Sequence, residues 1–102
     1  MSHHTLNTKR APEAIGPYSQ AVVHNGIIYC SGQIGLDPER MELVADDVKS
    51  QAEQVMKNMG AVLEAAGSSF RNVLKCSIFI DDMANFPIVN EVYGYHFEAD
   101  AP

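Results

Sequence analysis

The sequence predicts an α+β domain, in which helices pack on a small mixed sheet. Three observations support this: a hairpin signature in the first third of the chain, an amphipathic helical pattern in the middle, and a strand followed by a second helix after it. The order is therefore β-β-α-β-α. Since no repeat and no shift of composition marks a second unit, we expect one domain over residues 1–102, with residues 1–12 as a loose lead-in.

The hairpin signature is the dipeptide Asn25-Gly26, which two runs of β-prone residues flank. A type I′ turn needs a positive φ at both central residues, and Asn and Gly tolerate it best. The pattern predicts antiparallel strands over residues 20–24 and 27–33. The preceding stretch "GPYSQ", residues 16–20, is typical of a stiff turn that leads into the first of these strands.

The first helix is predicted over residues 46–66, where apolar side chains recur at steps of three and four. Asp46 and Asp47 suit its first turn, because the helix dipole favours negative charge there. Gly67 suits its C-terminal end. Gly60 lies inside the helix at a cost of about 1 kcal/mol relative to Ala, which a close approach of the helix to the sheet would explain.

Residues 73–80 alternate in polarity and predict a further strand. Cys30 and Cys76 both fall on predicted strands, where a small buried hydrophobic residue is a commoner role than a nucleophile. With two widely spaced cysteines and no Cys-x-x-Cys pair, the chain fits a reducing compartment better than a disulfide scaffold.

The second helix is predicted to begin at a cap on Asn85 and to run to about residue 98. Spacing places one set of side chains on its core face, and Asn90 leans toward the same side. The core-facing set is Phe86, Val89, Tyr93 and Phe97.

Composition restricts the partners of the chain. Its formal net charge is −6, from 7 basic and 13 acidic residues, which argues against nucleic acid because such binding needs clustered Lys and Arg. No apolar run has the length of a membrane span, and the first residues lack the apolar core of a secretion signal. We expect a soluble cytoplasmic protein. Two basic and no acidic residues before Glu13 leave a mitochondrial location open.

The residues that could carry chemistry are neutral. The chain shows no metal-ligand spacing and no phosphate-binding loop, so no metal site is expected. Tyr18, Ser31 and Asn90 each have an ordinary explanation: a packed aromatic ring, a strand-end hydroxyl and a hydrogen bond between elements. Together they predict a small pocket that orients a polar ligand without a nucleophile, and Gly32 would let that ligand approach the backbone.

Along almost its whole length the chain resembles the Rid/YjgF family of reactive-intermediate imine deaminases, also called the endoribonuclease L-PSP family. The resemblance rests on "APEAIGPYSQAV" and "IIYCSGQIGLDP" in the first third and on the pattern Phe-x-x-Val-Asn-x-x-Tyr in the second helix. It implies a chorismate-mutase-like fold, with two helices on one face of the sheet and two more strands after the second helix.

The same resemblance implies a function. Family members hydrolyse 2-imino acids, such as 2-iminobutanoate and 2-iminopropanoate, to 2-keto acids and ammonia, and so protect pyridoxal-phosphate enzymes from reactive enamines and imines. They use no cofactor or metal. They are typically homotrimers with sites in the clefts between subunits. On this chain the substrate-binding positions correspond to Tyr18, Ser31, Gly32 (through its backbone) and Asn90.

The family pattern continues past Pro102. Its carboxylate-binding arginine and the glutamate that holds the hydrolytic water belong to that continuation, so no catalytic residue is assigned on this chain. We expect the natural product to continue rather than to be short. Two other functions stay open: an endoribonuclease that inhibits translation, which the acidic composition disfavours, and a non-catalytic ligand-binding or chaperone-like trimer.

Overall fold

A computed structural model describes residues 3–97 and 99–102. The predicted α+β class is confirmed, since three strands precede two helices in the described chain. Two short 3-10 helices, Phe70–Asn72 and Met83–Asn85, lie between the main helices. The strands are β1 (His4–Leu6), β2 (Ala21–His24) and β3 (Ile27–Cys30), and the helices are α1 (Val48–Ala65) and α2 (Phe86–Tyr95).

The predicted hairpin is confirmed. Strands β2 and β3 pair antiparallel, with His24 opposite Ile27 across the turn. Asn25 has φ 51° and Gly26 has φ 77°, the two positive values that a type I′ turn requires. Strand β3 ends at Cys30, three residues before the predicted end, and one more backbone hydrogen bond follows it, from the Ser31 N–H to the Gln20 carbonyl.

The prediction of a loose lead-in was wrong for residues 4–6. Strand β1 pairs antiparallel with β2, with Thr5 opposite Val22 and Leu6 opposite Ala21. The N-terminal segment covers an edge of β2 whose backbone groups would otherwise lack partners within the sheet. The sheet has the order β1-β2-β3, and in the described chain it is antiparallel throughout rather than mixed.

The prediction of a strand over residues 73–80 was also wrong. The segment joins no ladder in the described structure, because alternating polarity in one segment does not by itself provide a partner strand. Leu74 and Phe79 are 81% and 93% exposed. Cys76 and Cys30 are exposed as well, so the expectation that both cysteines are buried was wrong.

Helix α1 contributes the buried core residues Val62 and Leu63. It begins and ends within two residues of the predicted bounds. The Asp47 carboxylate accepts a 2.8 Å hydrogen bond from the backbone N–H of Ser50, and Gly67 has φ 77° just past the end. Val62 is fully buried against Ala21 and Ala11. Gly60 is explained by Phe70 rather than by the sheet: a Cβ there would lie 3.2 Å from the Phe70 ring.

Helix α2 packs on α1, and its predicted core face is confirmed only in part, since Val89, Tyr93 and Phe97 are half-buried. Val92 is its buried residue, while Phe86 is 48% exposed. The helix ends at Tyr95, before the predicted end, and residue 98 itself lies outside the described residues. Asn85 precedes the helix but makes no side-chain cap hydrogen bond, since the chain already turns in the 3-10 helix that Asp82 caps. In the described residues, no helix is long and apolar enough to cross a membrane.

Candidate functional site

A small cavity of about 80 Å³ lies between two segments that leave the sheet on either side of the β2–β3 hairpin. One wall comes from residues 12–20, before β2, and the other from residues 32–36, after β3. The lining residues are Pro12, Glu13, Ile15, Tyr18, Gln20, Gly32, Gln33, Ile34 and Leu36.

Tyr18 forms part of the first wall and keeps its hydroxyl available. Its backbone N–H donates a 2.8 Å hydrogen bond to the Gly16 carbonyl, which closes a tight turn. The ring lies against Gly16, where a Cβ would be 3.5 Å from its nearest atoms. Tyr18 is 52% exposed, and its hydroxyl makes no hydrogen bond to the described residues. A phenol held this way can bind a polar ligand.

Ser31 joins the two walls. Its backbone N–H donates to the Gln20 carbonyl at 3.0 Å, and its hydroxyl donates to the Ser19 carbonyl at 2.6 Å. The Ser31 proton is therefore committed to the protein, and only the oxygen lone pairs can accept from a ligand. Gly32 follows with open space where a side chain would be, so a ligand can reach its backbone.

Asn90 lies elsewhere. It is exposed on α2, is not among the residues that line the cavity, and makes no side-chain hydrogen bond within residues 3–97 and 99–102. Tyr18 and Gly32 thus line the cavity together, Ser31 lies beside it without being among its lining residues, and Asn90 lies apart. The prediction that Asn90 faces the core was wrong.

Two buried amides were missed by the sequence reasoning. Gln20 is 2% exposed and Asn58 is fully buried. Asn58 lies three residues after Val55 and four before Val62, within the apolar stripe of α1. A polar residue at an apolar-periodic position was the available signal, because a buried amide must find hydrogen-bond partners.

The cavity lining contains a single charged side chain, which is acidic. Glu13 is the one charged residue in its lining, and no cysteine or lysine lines it. No cluster of three potential metal ligands occurs in the part of the chain that the structure describes. A larger open groove of about 690 Å³ runs along α1, but charges of both signs line it and it contains none of the predicted site residues.

A second group of titratable side chains consists of Cys30 on β3, Cys76 in segment 73–80 and Tyr93 on α2. Cys30 is exposed as a residue, but neighbouring protein atoms partly desolvate its thiol and raise the pKa, and the nearby Cys76 raises it further. Burial, with Cys76 as a hydrogen-bonding neighbour, raises the pKa of Tyr93 to about 12. The Tyr93 hydroxyl also donates to the Pro102 carbonyl at 2.9 Å. The shifts favour neutral thiol and phenol, so Cys30 is not an activated nucleophile.

Comparison with known proteins identifies the family. The family model described as endoribonuclease L-PSP matches residues 8–102. The chain belongs to the endoribonuclease L-PSP family. The match includes both walls of the cavity and α2, so Tyr18, Ser31, Gly32 and Asn90 all lie within it.

Named relatives in this family include deaminases. A human protein named 2-iminobutanoate/2-iminopropanoate deaminase is 47% identical over 97 residues, which are 95% of this chain and 71% of that protein. An Arabidopsis thaliana protein named Reactive Intermediate Deaminase A, chloroplastic, is 44% identical over 97 residues, again 95% of this chain. The chain spans about half the length of that plant protein, 52%.

A solved structure in the family has the same fold. RidA from an Antarctic Psychrobacter species superposes with a TM-score of 0.92 at 43% identity, over 97% of this chain and 80% of that one. The likeness therefore extends from sequence to the arrangement of the sheet and helices.

Proposed function

We propose that this protein hydrolyses 2-imino acids, such as 2-iminobutanoate and 2-iminopropanoate, to 2-keto acids and ammonia. The observation that carries the proposal is the cavity between Tyr18 and the Gly32 backbone, in a chain 47% identical to a human protein named for this activity. The cavity offers hydrogen-bonding groups and no nucleophilic side chain, which suits a substrate that is itself electrophilic.

The chemistry requires little of the protein. Water adds to the C=N carbon of the protonated imine, and loss of ammonia from the resulting carbinolamine forms the ketone. No bond to the protein is made, so the pocket has to orient the substrate beside a water molecule. The Tyr18 hydroxyl and the Gly32 N–H are two donors that the cavity offers to substrate oxygens. Ser31 keeps them in register through its hydrogen bond to Ser19.

We also propose that the complete site is assembled between subunits of a homotrimer, where Asn90 joins the cavity of a neighbouring copy. Three observations support this. Asn90 is exposed and away from its own cavity. Large apolar side chains on and beside the sheet are open to contact, among them Tyr29 at 58% exposure and Leu74 at 81%. The cavity of about 80 Å³ is small for a whole ligand, as expected for one side of a cleft.

The cellular role that we propose is protection of pyridoxal-phosphate enzymes from the enamines and imines that dehydratases release. Such species react with nucleophiles before they hydrolyse spontaneously. A protein that shortens their lifetime needs no cofactor, and we expect none here. We propose the cytoplasm as its location, with mitochondria as the alternative.

A coupled assay tests the activity. Threonine dehydratase generates the imine, and 2-ketobutanoate formation is followed with and without this protein, using the 102-residue chain and the longest chain that its gene encodes. A rise in the initial rate of keto-acid release that is proportional to protein concentration supports the proposal. The same rate with and without both chains contradicts it.

The same preparation separates the alternatives. Binding of 2-ketobutanoate without turnover would indicate a ligand-binding module. RNA cleavage that co-purifies with the protein and disappears in a Tyr18→Ala variant would indicate a ribonuclease. We expect no such cleavage, because a net charge of −6 offers little attraction for phosphates.

A further inference from the structure

The first wall of the cavity is held by the buried side chain of Gln20. Its Nε2 amide lies within hydrogen-bond distance of three backbone carbonyls, at 3.0 Å from Thr8, 3.2 Å from Ala11 and 2.7 Å from Pro12. Its Oε1 accepts from the Thr8 N–H at 2.6 Å. One side chain therefore ties the irregular segment 8–12 to the start of β2.

The second wall is held by Asn58 on α1. Its Nδ2 donates to the carbonyls of Ile34 at 3.2 Å and Leu36 at 2.9 Å, and its Oδ1 accepts from Gln54 at 2.8 Å. Gly35 lies between those two carbonyls, and a Cβ there would be 2.9 Å from the Gln51 backbone. The wall therefore rests directly on α1.

The side-chain amides of Gln20 and Asn58 both have hydrogen-bond partners for all their polar atoms, and this restricts where the two walls can lie. No buried side-chain nitrogen or oxygen in the described structure lacks a partner. Shifting either wall would break several hydrogen bonds at once and leave buried carbonyls unpaired, which is unfavourable for each group. Satisfied buried networks of this kind specify one arrangement of the chain.

We propose that Gln20 and Asn58 are positioning residues that set the separation of the two walls, and through it the binding of the 2-imino acid substrate. The proposal rests on the proposed deaminase function for its substrate. Asn58 does not line the cavity, so it acts through the carbonyls of the second wall. Gln20 lines the cavity and also holds the first wall.

The test compares Asn58→Ala and Gln20→Ala with Val62→Ala. Val62 is fully buried on the same helix as Asn58 and packs against Ala11 and Ala21, but its side chain makes no hydrogen bond to either wall, so its truncation serves as the control for a loss of stability. Asn58→Ser and Gln20→Glu are the conservative variants. Gln20→Glu keeps the acceptor for Thr8 but places a carboxylate against three carbonyls, so we expect it to restore KM poorly. Asn58→Ser keeps one donor, so we expect it to restore KM in part.

Two readouts are measured below the unfolding temperature of every variant: KM and kcat in the imine assay, and amide hydrogen exchange in segments 8–12 and 34–36. We expect KM to rise roughly tenfold in Asn58→Ala and Gln20→Ala, with partial rescue in Asn58→Ser, and to change less than about twofold in Val62→Ala. Exchange should accelerate in segment 34–36 for Asn58→Ala and in segment 8–12 for Gln20→Ala.

Equal changes of KM in Val62→Ala and Asn58→Ala, or unchanged exchange in both wall segments, would overturn the proposal. If the wild-type protein shows no imine hydrolysis, the proposed function fails on its own. The positioning role of Gln20 and Asn58 is then tested by the exchange data and by the affinity for 2-ketobutanoate. The affinity must fall more in Asn58→Ala than in Val62→Ala.

Discussion

The hydroxyl of Ser31 lies 2.6 Å from the carbonyl oxygen of Ser19, and this hydrogen bond connects the two walls of the cavity. Ser19 follows Tyr18 directly, and Ser31 precedes Gly32. The two groups best placed to bind a ligand are therefore linked through a single side chain. Ser31 contributes to the site by holding its parts in register.

Ser31→Ala should loosen this connection. Loss of the half-buried hydrogen bond should lower the free energy of unfolding by about 1 kcal/mol and also lower kcat/KM in the imine assay. Ser31→Thr retains the hydroxyl and is the matched control. Urea unfolding and keto-acid release measure the two effects, and unchanged values in Ser31→Ala would show that the bond has no such role.

Tyr18→Phe should separate binding from stability. The Tyr18 hydroxyl has no partner among the described residues, so its removal should leave the unfolding midpoint unchanged. Loss of one ligand hydrogen bond should raise KM by about two- to tenfold. Tyr29→Phe removes a hydroxyl from another exposed tyrosine, on β3, and is the control. An unchanged KM in Tyr18→Phe would exclude the phenol from substrate binding.

Glu13 should influence which imino acids are accepted. As the one charged residue of the lining, it repels a second carboxylate on the substrate. We expect Glu13→Gln to raise kcat/KM for the imine of glutamate relative to that of leucine by roughly fivefold at low ionic strength. An amino-acid oxidase generates both imines in the assay. Glu39→Gln, outside the cavity, should leave the ratio unchanged; an equal effect in both variants would contradict a local role.

Asp47 should make the stability of α1 depend on acid pH. Hydrogen bonds from the Ser50 backbone and side chain hold the pKa of this carboxyl below its ordinary value. The stabilisation is therefore present at neutral pH and is lost as the pH falls below about 4 and through the lower folded pKa. Asp47→Ala should unfold at lower urea than wild type near neutrality, and the difference should shrink in acid. Asp47→Asn keeps an acceptor oxygen but cannot titrate. It should therefore remove the part of the pH dependence of unfolding that Asp47 contributes.

Tyr93 should govern stability at the alkaline end. Its folded pKa of about 12 exceeds the ordinary value of 10.0, chiefly because of burial. The unfolded chain therefore releases this proton first, so stability falls as the pH rises from about 10 to about 12. Tyr93→Phe should flatten the urea midpoint over this range. Tyr95→Phe, at a residue 87% exposed, is the control and should unfold as the wild type does.

The elements that rest on local rules could be predicted from the sequence. Asn25-Gly26 specified the hairpin because the backbone of its turn demands those residues, and the α1 pattern predicted the helix within two residues at each end. The stretch "GPYSQA" also supplies part of one wall of the cavity: Gly16 supports Tyr18, and Gln20 holds the wall beside it.

Strand pairing and the hydrogen bonds of buried side chains depend on partners distant in the chain, and only the folded structure shows those partners. Strand β1 exists because β2 offers an edge, and residues 73–80 form no strand because none pairs with them in the described chain. The hydrogen-bond partners of Asn58, the carbonyls of Ile34 and Leu36, depend on the segment that the fold brings beside α1. Local sequence encodes dihedral preferences and periodicity, whereas burial, pairing and hydrogen-bond partners depend on which distant segments meet.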